Sequence, residues 1–349
     1  MSILSPENQS VNKNVVPTAT PANVELAEHI YHNHPPEGVE LRLSTLSSRD
    51  SIWDTQRAKT SVIGELYALN SKFERYSERM ADCSGFLGFG LGSDGFKLKQ
   101  ASFCRVRLCP VCQWRRSLLW RANMYFAYED IKEKYPTHRW IFLTLTVKNV
   151  PVKDLRSTLK HMNNSWNKLI KRKAFFEVVD GFIRTTEVTR GKDGTAHPHF
   201  HAMLLVKSSY FSHGYIKQVE WQRMWQSCLK VDYLPIIDVR AIRAKKGYDD
   251  TEDNRVKAGI LETLKYAVKP SDMVADPDWF YELTRQLKNT RAVSTGGVLK
   301  DSIKKENKIK DDDMVNTGSD EKDDTDERRW AFVYNKRAGY YAYSPKHNR

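Results

Sequence analysis

Three histidines stand at every second position in "DGTAHPHFHAML": His197, His199 and His201. A strand sends alternate side chains to opposite faces, so all three would emerge on one face of a sheet. Neutral imidazole binds transition metals, and His199 and His201 are spaced to converge on one ion from one strand. A third donor is at hand. Glu187 and His199 lie nearly symmetrically about the glycines Gly191 and Gly194. A hairpin there would set Glu187 opposite His199, with Cβ atoms about 4.5–5.5 Å apart. Two imidazoles and a carboxylate suit a divalent ion with positions open to substrate oxygens. Mn²⁺ or Mg²⁺ recruited to a phosphate fits such mixed donors, and zinc stays open as a third choice. The plainer reading is a half-exposed strand that happens to carry histidines; three in alternation facing a glutamate weigh against it. His197 is a less certain ligand, and reads equally as a supporting group, a DNA contact or an ordinary turn histidine.

"GILETLKYAVKP" places Glu262, Tyr266 and Lys269 at i, i+4 and i+7, one stripe of a helix. A tyrosine can attack phosphorus and hold the strand as a phosphotyrosine, conserving the phosphodiester energy for later rejoining. A metal ion would polarise the scissile phosphate. Lys269 could support the transferring phosphate or the leaving oxygen. Glu262 could activate a water or the tyrosine hydroxyl. Alone the stripe is weak, since a helical tyrosine is usually a core residue; its weight comes from the histidine strand upstream.

Cys104, Cys109 and Cys112 form C-x4-C-x2-C in "CRVRLCPVCQWRR", and Cys83 stands upstream. Four thiolates suit a structural Zn²⁺ held tetrahedrally. Free thiols of a cytosolic protein are the alternative. Zinc would tie the glycine-rich stretch "CSGFLGFGLGSDGF" to the following helix and present Arg105, Arg107, Arg115 and Arg116 to phosphates. The alternative for these arginines is a solvated helix face. Cys228 reads as a packed small residue in an apolar helix.

The elements that must position these residues follow from periodicity. "RWIFLTLTV" (139–147) is a strand rich in β-branched and aromatic residues. Residues 151–173 read as an amphipathic helix with proline in its first turn. "FIRTTEVTR" and "HPHFHAMLLV" flank "GKDGTA" as a hairpin. A helix over 216–229, a strand over 235–244 and a helix over 253–269 ended by Pro270 complete the order β-α-β-β-α-β-α. That order predicts an α+β domain with an antiparallel, split-βαβ, ferredoxin-like sheet. Upstream, helical spacing runs from Trp53 to Met80, and a further helix runs from Pro110 or Val111 to Tyr135.

The expected division is a disordered tail over 1–50, a helical cysteine-bearing region over 51–136, a sheet domain over 137–298, and a charged linker with an aromatic end over 299–349. The end, "WAFVYNKRAGYYAYSP", can pair as a short hairpin. A net charge of +13 over 349 residues suggests a polyanionic partner, nucleic acid or an anionic membrane surface. No apolar run approaches the ~20 residues of a membrane span. The N-terminus lacks the pattern of a secretory signal, so a cytoplasmic protein is expected.

"FLTLTV" (142–147), "HPHFH" (197–201) and "YAVKP" (266–270), in that order, resemble the three motifs of HUH-superfamily endonucleases. Glu262 four residues before Tyr266, with the cysteine cluster, resembles more narrowly the plasmid rolling-circle replication initiators with a single catalytic tyrosine. The resemblance covers roughly residues 50 to 300. It implies an RRM-like sheet bearing the metal on its face, with the tyrosine helix beside it. It further implies nicking of a single-stranded, supercoiled or hairpin plasmid origin, a 5′-phosphotyrosyl link and a free 3′-OH that primes synthesis in a bacterial cytoplasm. Glu262 matches the glutamate thought to activate water at termination, and it occupies the place of a second tyrosine. Host helicase and DNA polymerase are implied partners, because the chain has no Walker-type phosphate loop. Oligomeric state stays open. A relaxase or transposase of the same superfamily is an alternative, although Tyr266 follows the histidines as in initiators. A non-catalytic zinc-dependent nucleic-acid-binding regulator is the alternative from another class.

Overall fold

Where residue type alternates with period two the chain forms strands, and where the period is near 3.6 it forms helices. The computed structural model describes residues 40–92, 95–264, 268–306 and 328–347. Residues 1–39 of the expected tail, the acidic stretch 307–327 and Tyr266 lie outside the described residues, but the end of that tail is ordered, since Leu43–Leu46 form a helix that buries Leu43 and Leu46.

In chain order the first elements are α1 (Leu43–Leu46), α2 (Ile52–Ala68), α3 (Glu74–Ala81), β1 (Phe86–Gly92), β2 (Gly95–Ala101) and α4 (Pro110–Lys134). Then come β3 (Arg139–Thr146), α5 (Leu155–Leu169), α6 (Lys173–Val178), β4 (Val179–Arg190), β5 (Ala196–Val206), α7 (Gln218–Leu229) and β6 (Ile237–Ala241). They are followed by α8 (Glu252–Thr263), α9 (Pro270–Val274), α10 (Pro277–Leu287), β7 (Val293–Gly297), α11 (Val298–Glu306), β8 (Arg328–Asn335) and β9 (Tyr340–Tyr343). The chain divides into two compact units.

The described residues of Met1–Ala58, Gly85–Ala101 and Asp320–Arg349 form one unit. Its antiparallel sheet has the order β2-β1-β8-β9. The aromatic C-terminal stretch pairs as a hairpin, from Phe332 opposite Tyr343 to Asn335 opposite Tyr340. The glycine-rich stretch supplies β1, which pairs with β8 so that Phe89 meets Trp330 and Leu87 meets Phe332. Phe89, Phe96, Trp330 and Phe332 are buried and meet edge to face at 5.6–6.0 Å, the arrangement the ring quadrupoles favour.

The described residues of Lys59–Ser84 and Ser102–Ser319 form the other unit. Its antiparallel sheet has the order β6-β3-β5-β4-β7. The first four of these are the strands of a split βαβ unit, in the expected α+β architecture. Strand alternation gives the sheet two different faces. Trp140, Phe142, Ile183, Met203 and Leu205 point to one face and pack with Met124, Ala127 and Ile131 of α4, Val256 and Ile260 of α8, and Ile303 of α11. Phe182 and Phe200 point to the other face, where they meet Trp166 of α5 and Trp225 of α7. Each large apolar side chain removed from water contributes about 1.5–3 kcal/mol, so both faces hold the sheet rigid beneath whatever it carries.

Two helix expectations need correcting. Residues 151–173 do not form one helix: a 3-10 turn at Val152–Asp154 precedes α5, which stops at Leu169. The helix expected over 253–269 stops at Thr263. Leu264 leaves the helical region, and Lys269 is extended at φ −74°, ψ 136°. For Lys269 the cause is local, since a residue before proline is driven out of the helical region and Pro270 opens the next helix instead. Lys269 therefore does not share a helical stripe with Glu262.

A candidate metal centre beside the end of a helix

The site begins with the hairpin of β4 and β5. Gly194 takes the left-handed region at φ +79°, where a side chain would be strained. Asp193 Oδ1 accepts from the Thr195 amide and hydroxyl, closing the turn. The turn fixes the register: Glu187 lies opposite His199 and Thr185 opposite His201. On the other side of β5, Thr146 lies opposite His199 and Thr144 opposite His201. These residues alternate in step with Phe142, Ile183 and Met203. The polar group is thus the continuation of the sheet's own apolar face, and the core beside it holds it in place.

Glu187 Oε2 lies 3.1 Å from His201 Nε2 and 3.4 Å from His199 Nε2. Glu187 and His199 are each only 8% exposed. The other ring nitrogens are held from behind. His199 Nδ1 is 3.2 Å from the His197 carbonyl, and His201 Nδ1 is 3.2 Å from Thr144 Oγ1. A carbonyl only accepts, so His199 Nδ1 carries the proton, and Nε2 faces the carboxylate either as a lone pair or, on a protonated ring, as an N–H donor. Two acceptors facing one another at this distance need a cation between them, a proton or a metal ion. Burial pushes the Glu187 carboxyl up, but hydrogen bonds and charge from His199 and His201 outweigh it and hold the group well below the usual carboxylate range. The three donor atoms lie within 4.8 Å of one another. Ligands bound to one ion at about 2.0–2.2 Å can stand no more than about 4.4 Å apart, and both Glu187 contacts fall inside that span. The residues present fit a divalent ion.

His197 stands outside this group. Its Nδ1 pairs with Asn149 Oδ1 at 2.7 Å, and its ring sits 5.2 Å from that of His199. Burial and the neighbouring His199 lower its pKa.

α8 approaches this face through its last turn. Thr251 caps its start by accepting from the Asn254 amide, with Glu252 and Asp253 favourable to the helix dipole. At its end, the Thr185 hydroxyl donates to the Thr263 carbonyl at 2.7 Å. Glu262 precedes Thr263 in that turn and is half-buried. Beyond residues 265–267, the chain is fastened to the same strand again. The Arg190 amide donates to Asp272 Oδ2 at 3.1 Å, and Arg190 Nη2 donates to Asp276 Oδ2 at 3.0 Å. Described residues on both sides of Tyr266 are thus anchored to β4, on either side of Glu187. Lys269, exposed, stands at the position that precedes α9.

Cys83, Cys104, Cys109 and Cys112 are buried together. Neighbouring Sγ atoms stand 3.6–3.7 Å apart, far beyond the ~2.05 Å of a disulfide. Tetrahedral thiolates bound to zinc at about 2.3 Å would stand about 3.8 Å apart. The Cys104 and Val106 amides donate to the Cys83 and Cys104 sulfurs. Cys109 stands immediately before α4 and Cys112 lies in its first turn, where the helix dipole favours thiolate. These four residues also fit a metal ion. Of the nearby arginines, Arg105 is exposed in a left-handed conformation at φ +54°. Arg107 donates to the Thr290 carbonyl at 2.7 Å. Arg115 is buried, 5.8 Å from the Phe103 ring, and Arg116 is half-buried. Cys228 is buried in α7, where its sulfur accepts from Arg172.

The sequence reading did not single out Thr144, Thr185 or Arg190. Thr144 stood inside the strand motif, but its partner was invisible until β3 was placed beside β5.

A family model described as Replication protein matches residues 95–342. A protein named Protein rep from Streptococcus pneumoniae serotype 2 (strain D39 / NCTC 7466) is 34% identical over 281 residues, covering 78% of this chain and 85% of the relative. Another Protein rep, from Bacillus amyloliquefaciens, is 33% identical, covering 77% and 85%. A Replication protein of Staphylococcus aureus is 36% identical over 209 residues, covering 57% and 87%. No solved structure matches the chain.

Proposed function

The chain belongs to the Replication protein family, and on that premise we propose that it initiates rolling-circle plasmid replication by nicking one strand of the origin. Tyr266 is the nucleophile. Its oxygen bonds to the scissile phosphorus as the bond to the 3′ oxygen breaks, leaving a 5′-phosphotyrosyl link and a 3′-hydroxyl that takes up the released proton. Rejoining reverses these bonds, so no outside energy is needed. The observation that carries this reading is the Glu187 carboxylate set between the His199 and His201 Nε2 atoms at one end of a rigid sheet face. Glu187, His199 and His201 would hold Mn²⁺ or Mg²⁺, which would polarise the phosphate and offset its developing charge. Glu262 takes the proton of the tyrosine and passes it on to the leaving 3′ oxygen or, at termination, takes a proton from water. Lys269, three residues on in the chain, offers positive charge to the transferring phosphate or the leaving oxygen.

Cys83, Cys104, Cys109 and Cys112 hold a structural Zn²⁺, and the region over 51–136 contacts DNA through Arg105, Arg107 and Arg116. The nuclease work belongs to residues 137–298. Host helicase and polymerase act on the nicked origin in the bacterial cytoplasm; no described helix is long and apolar enough to cross a membrane. A purely DNA-binding regulator would leave the carboxylate and its two imidazoles without a task.

The test is a covalent-adduct assay on a supercoiled plasmid carrying the origin. The wild-type protein should remain attached to the 5′ end in Mn²⁺ or Mg²⁺, and Tyr266→Phe should form no adduct. An adduct that persists in the variant assigns the nucleophile to another residue.

A further inference from the structure

A small recess, its wall largely apolar but carrying a cluster of polar groups, lies between the start of α4, the end of α8, β4 and the start of β7. Arg107, Gln113, Arg116, Ser117, Thr185 and Leu264 line it, around a cavity of about 50 Å³. We propose that this recess is a phosphate-binding subsite, which seats a phosphate of the DNA strand next to the scissile one. The inference rests on the nicking reading for the presence of that strand.

Some polar atoms on its wall lack partners, although Arg107 Nη1 and the Thr185 hydroxyl donate to the Thr290 and Thr263 carbonyls. Gln113 is 6% exposed, yet neither Oε1 nor Nε2 has a hydrogen-bond partner. Arg107 Nε is buried and also unpartnered. Native proteins rarely leave buried polar groups unmet, and such groups mark a place for a bound molecule. The charges agree. Burial, and then the charge of Arg116, push the Arg107 guanidinium down to about 10. Among the described residues, no carboxylate stands in the lining to separate these two cations. Two guanidinium groups, a hydroxyl and an amide donor answer a phosphate, whose oxygens accept several hydrogen bonds at once. Size points the same way. A water occupies roughly 10–15 Å³ on this measure, so the recess admits a group of a few heavy atoms rather than a nucleobase.

Placement ties the recess to the chemistry. Thr185 lies opposite His201 in register and two residues from Glu187 on the same sheet face, about 7 Å along the strand. Its hydroxyl already holds the Thr263 carbonyl at the end of α8. A strand whose scissile phosphate rests at Glu187, His199 and His201 therefore presents a neighbouring phosphate to Arg107 and Arg116. Arg115 takes no part, since its side chain packs on Phe103.

Fluorescence anisotropy of a labelled oligothymidylate over a range of KCl tests this. The full chain with both metals loaded is used, carrying Tyr266→Phe so that no strand is cut. Adding Arg116→Gln should shallow the slope of log affinity against log salt by about 0.7, the value of one phosphate contact on a single strand. Adding Gln113→Met, which keeps volume, should weaken binding at least about tenfold at unchanged slope, as expected for one hydrogen bond to a charged group. Zinc content and melting temperature equal to the parent's establish that each variant is folded. An unchanged slope in Arg116→Gln overturns the proposal. So does parent-like binding by Gln113→Met, which reduces Arg116 to a surface charge. Because nothing is cleaved in this measurement, a failure of the Tyr266 adduct would sink the nicking reading and leave this result standing.

Discussion

At the scale of single residues, the site depends on which nitrogen of each histidine faces Glu187. For His199 the carbonyl of His197 decides, because it can only accept a proton. For His201 the Thr144 hydroxyl sits behind the ring, 3.2 Å from Nδ1. Such supporting contacts typically govern metal affinity by about 10–100-fold. Thr144→Val, which removes only the hydroxyl, should weaken Mn²⁺ binding by about tenfold in a calorimetric titration. An affinity equal to wild type would show that Thr144 does not orient the ring. Glu262 poses a separate question, since an initiator with one tyrosine must finish by hydrolysis. Glu262→Gln keeps the shape of the side chain and removes its basicity. Nicking should survive while release of the 5′ adduct slows; equal loss of both steps would reject the termination role.

At the scale of elements, α8 matters for where it ends. The stripe Glu262, Tyr266, Lys269 suggested a continuous helix, but proline at 270 redirects Lys269. What replaces helical continuity is anchorage. Thr185 holds the Thr263 carbonyl, and Arg190 holds Asp272 and Asp276. Thr185→Val is close in shape but leaves the buried Thr263 carbonyl without its partner, a loss of about 1–3 kcal/mol. Adduct formation should slow while Mn²⁺ affinity stays near wild type, because Thr185 touches none of the three donor atoms' contacts. A parallel fall in metal affinity would mean that the sheet face, rather than the end of α8, had moved.

At the scale of the whole molecule, the cysteine cluster joins segments that the chain keeps apart. Cys83 follows α3, Cys104 follows β2, and Cys109 and Cys112 open α4. Without a cation four buried thiols cannot all ionise: the hydrogen bonds that the Cys83 thiol gives to its three neighbours, and then burial, hold it far above the usual thiol range. Replacing Cys109 and Cys112 together by serine should remove about one zinc per chain by metal analysis and lower the melting temperature, since a structural zinc contributes folding energy outright. Unchanged metal content would remove the structural-zinc assignment. Much of this architecture was legible in the sequence. Period-two alternation in "HPHFH" and a hairpin turn with glycines at both ends dictate the register of Glu187 against His199, because local geometry alone sets it. The β-α-β-β-α-β order likewise follows from alternating periodicities. Other features were beyond reach. The pairing of β1 with β8 joins segments from opposite ends of the chain, and a glycine-rich run carries no signal of its partner. The recess by Gln113 and the two anchors on β4 exist only once α4 and α8 pack on one face of the sheet. By itself the sequence determined the kinds of chemistry and the local spacing of the groups, since these depend on covalent geometry and strand or helix period. Only the tertiary structure decided which groups face one another and which are withdrawn from water, since burial and long-range pairing set both.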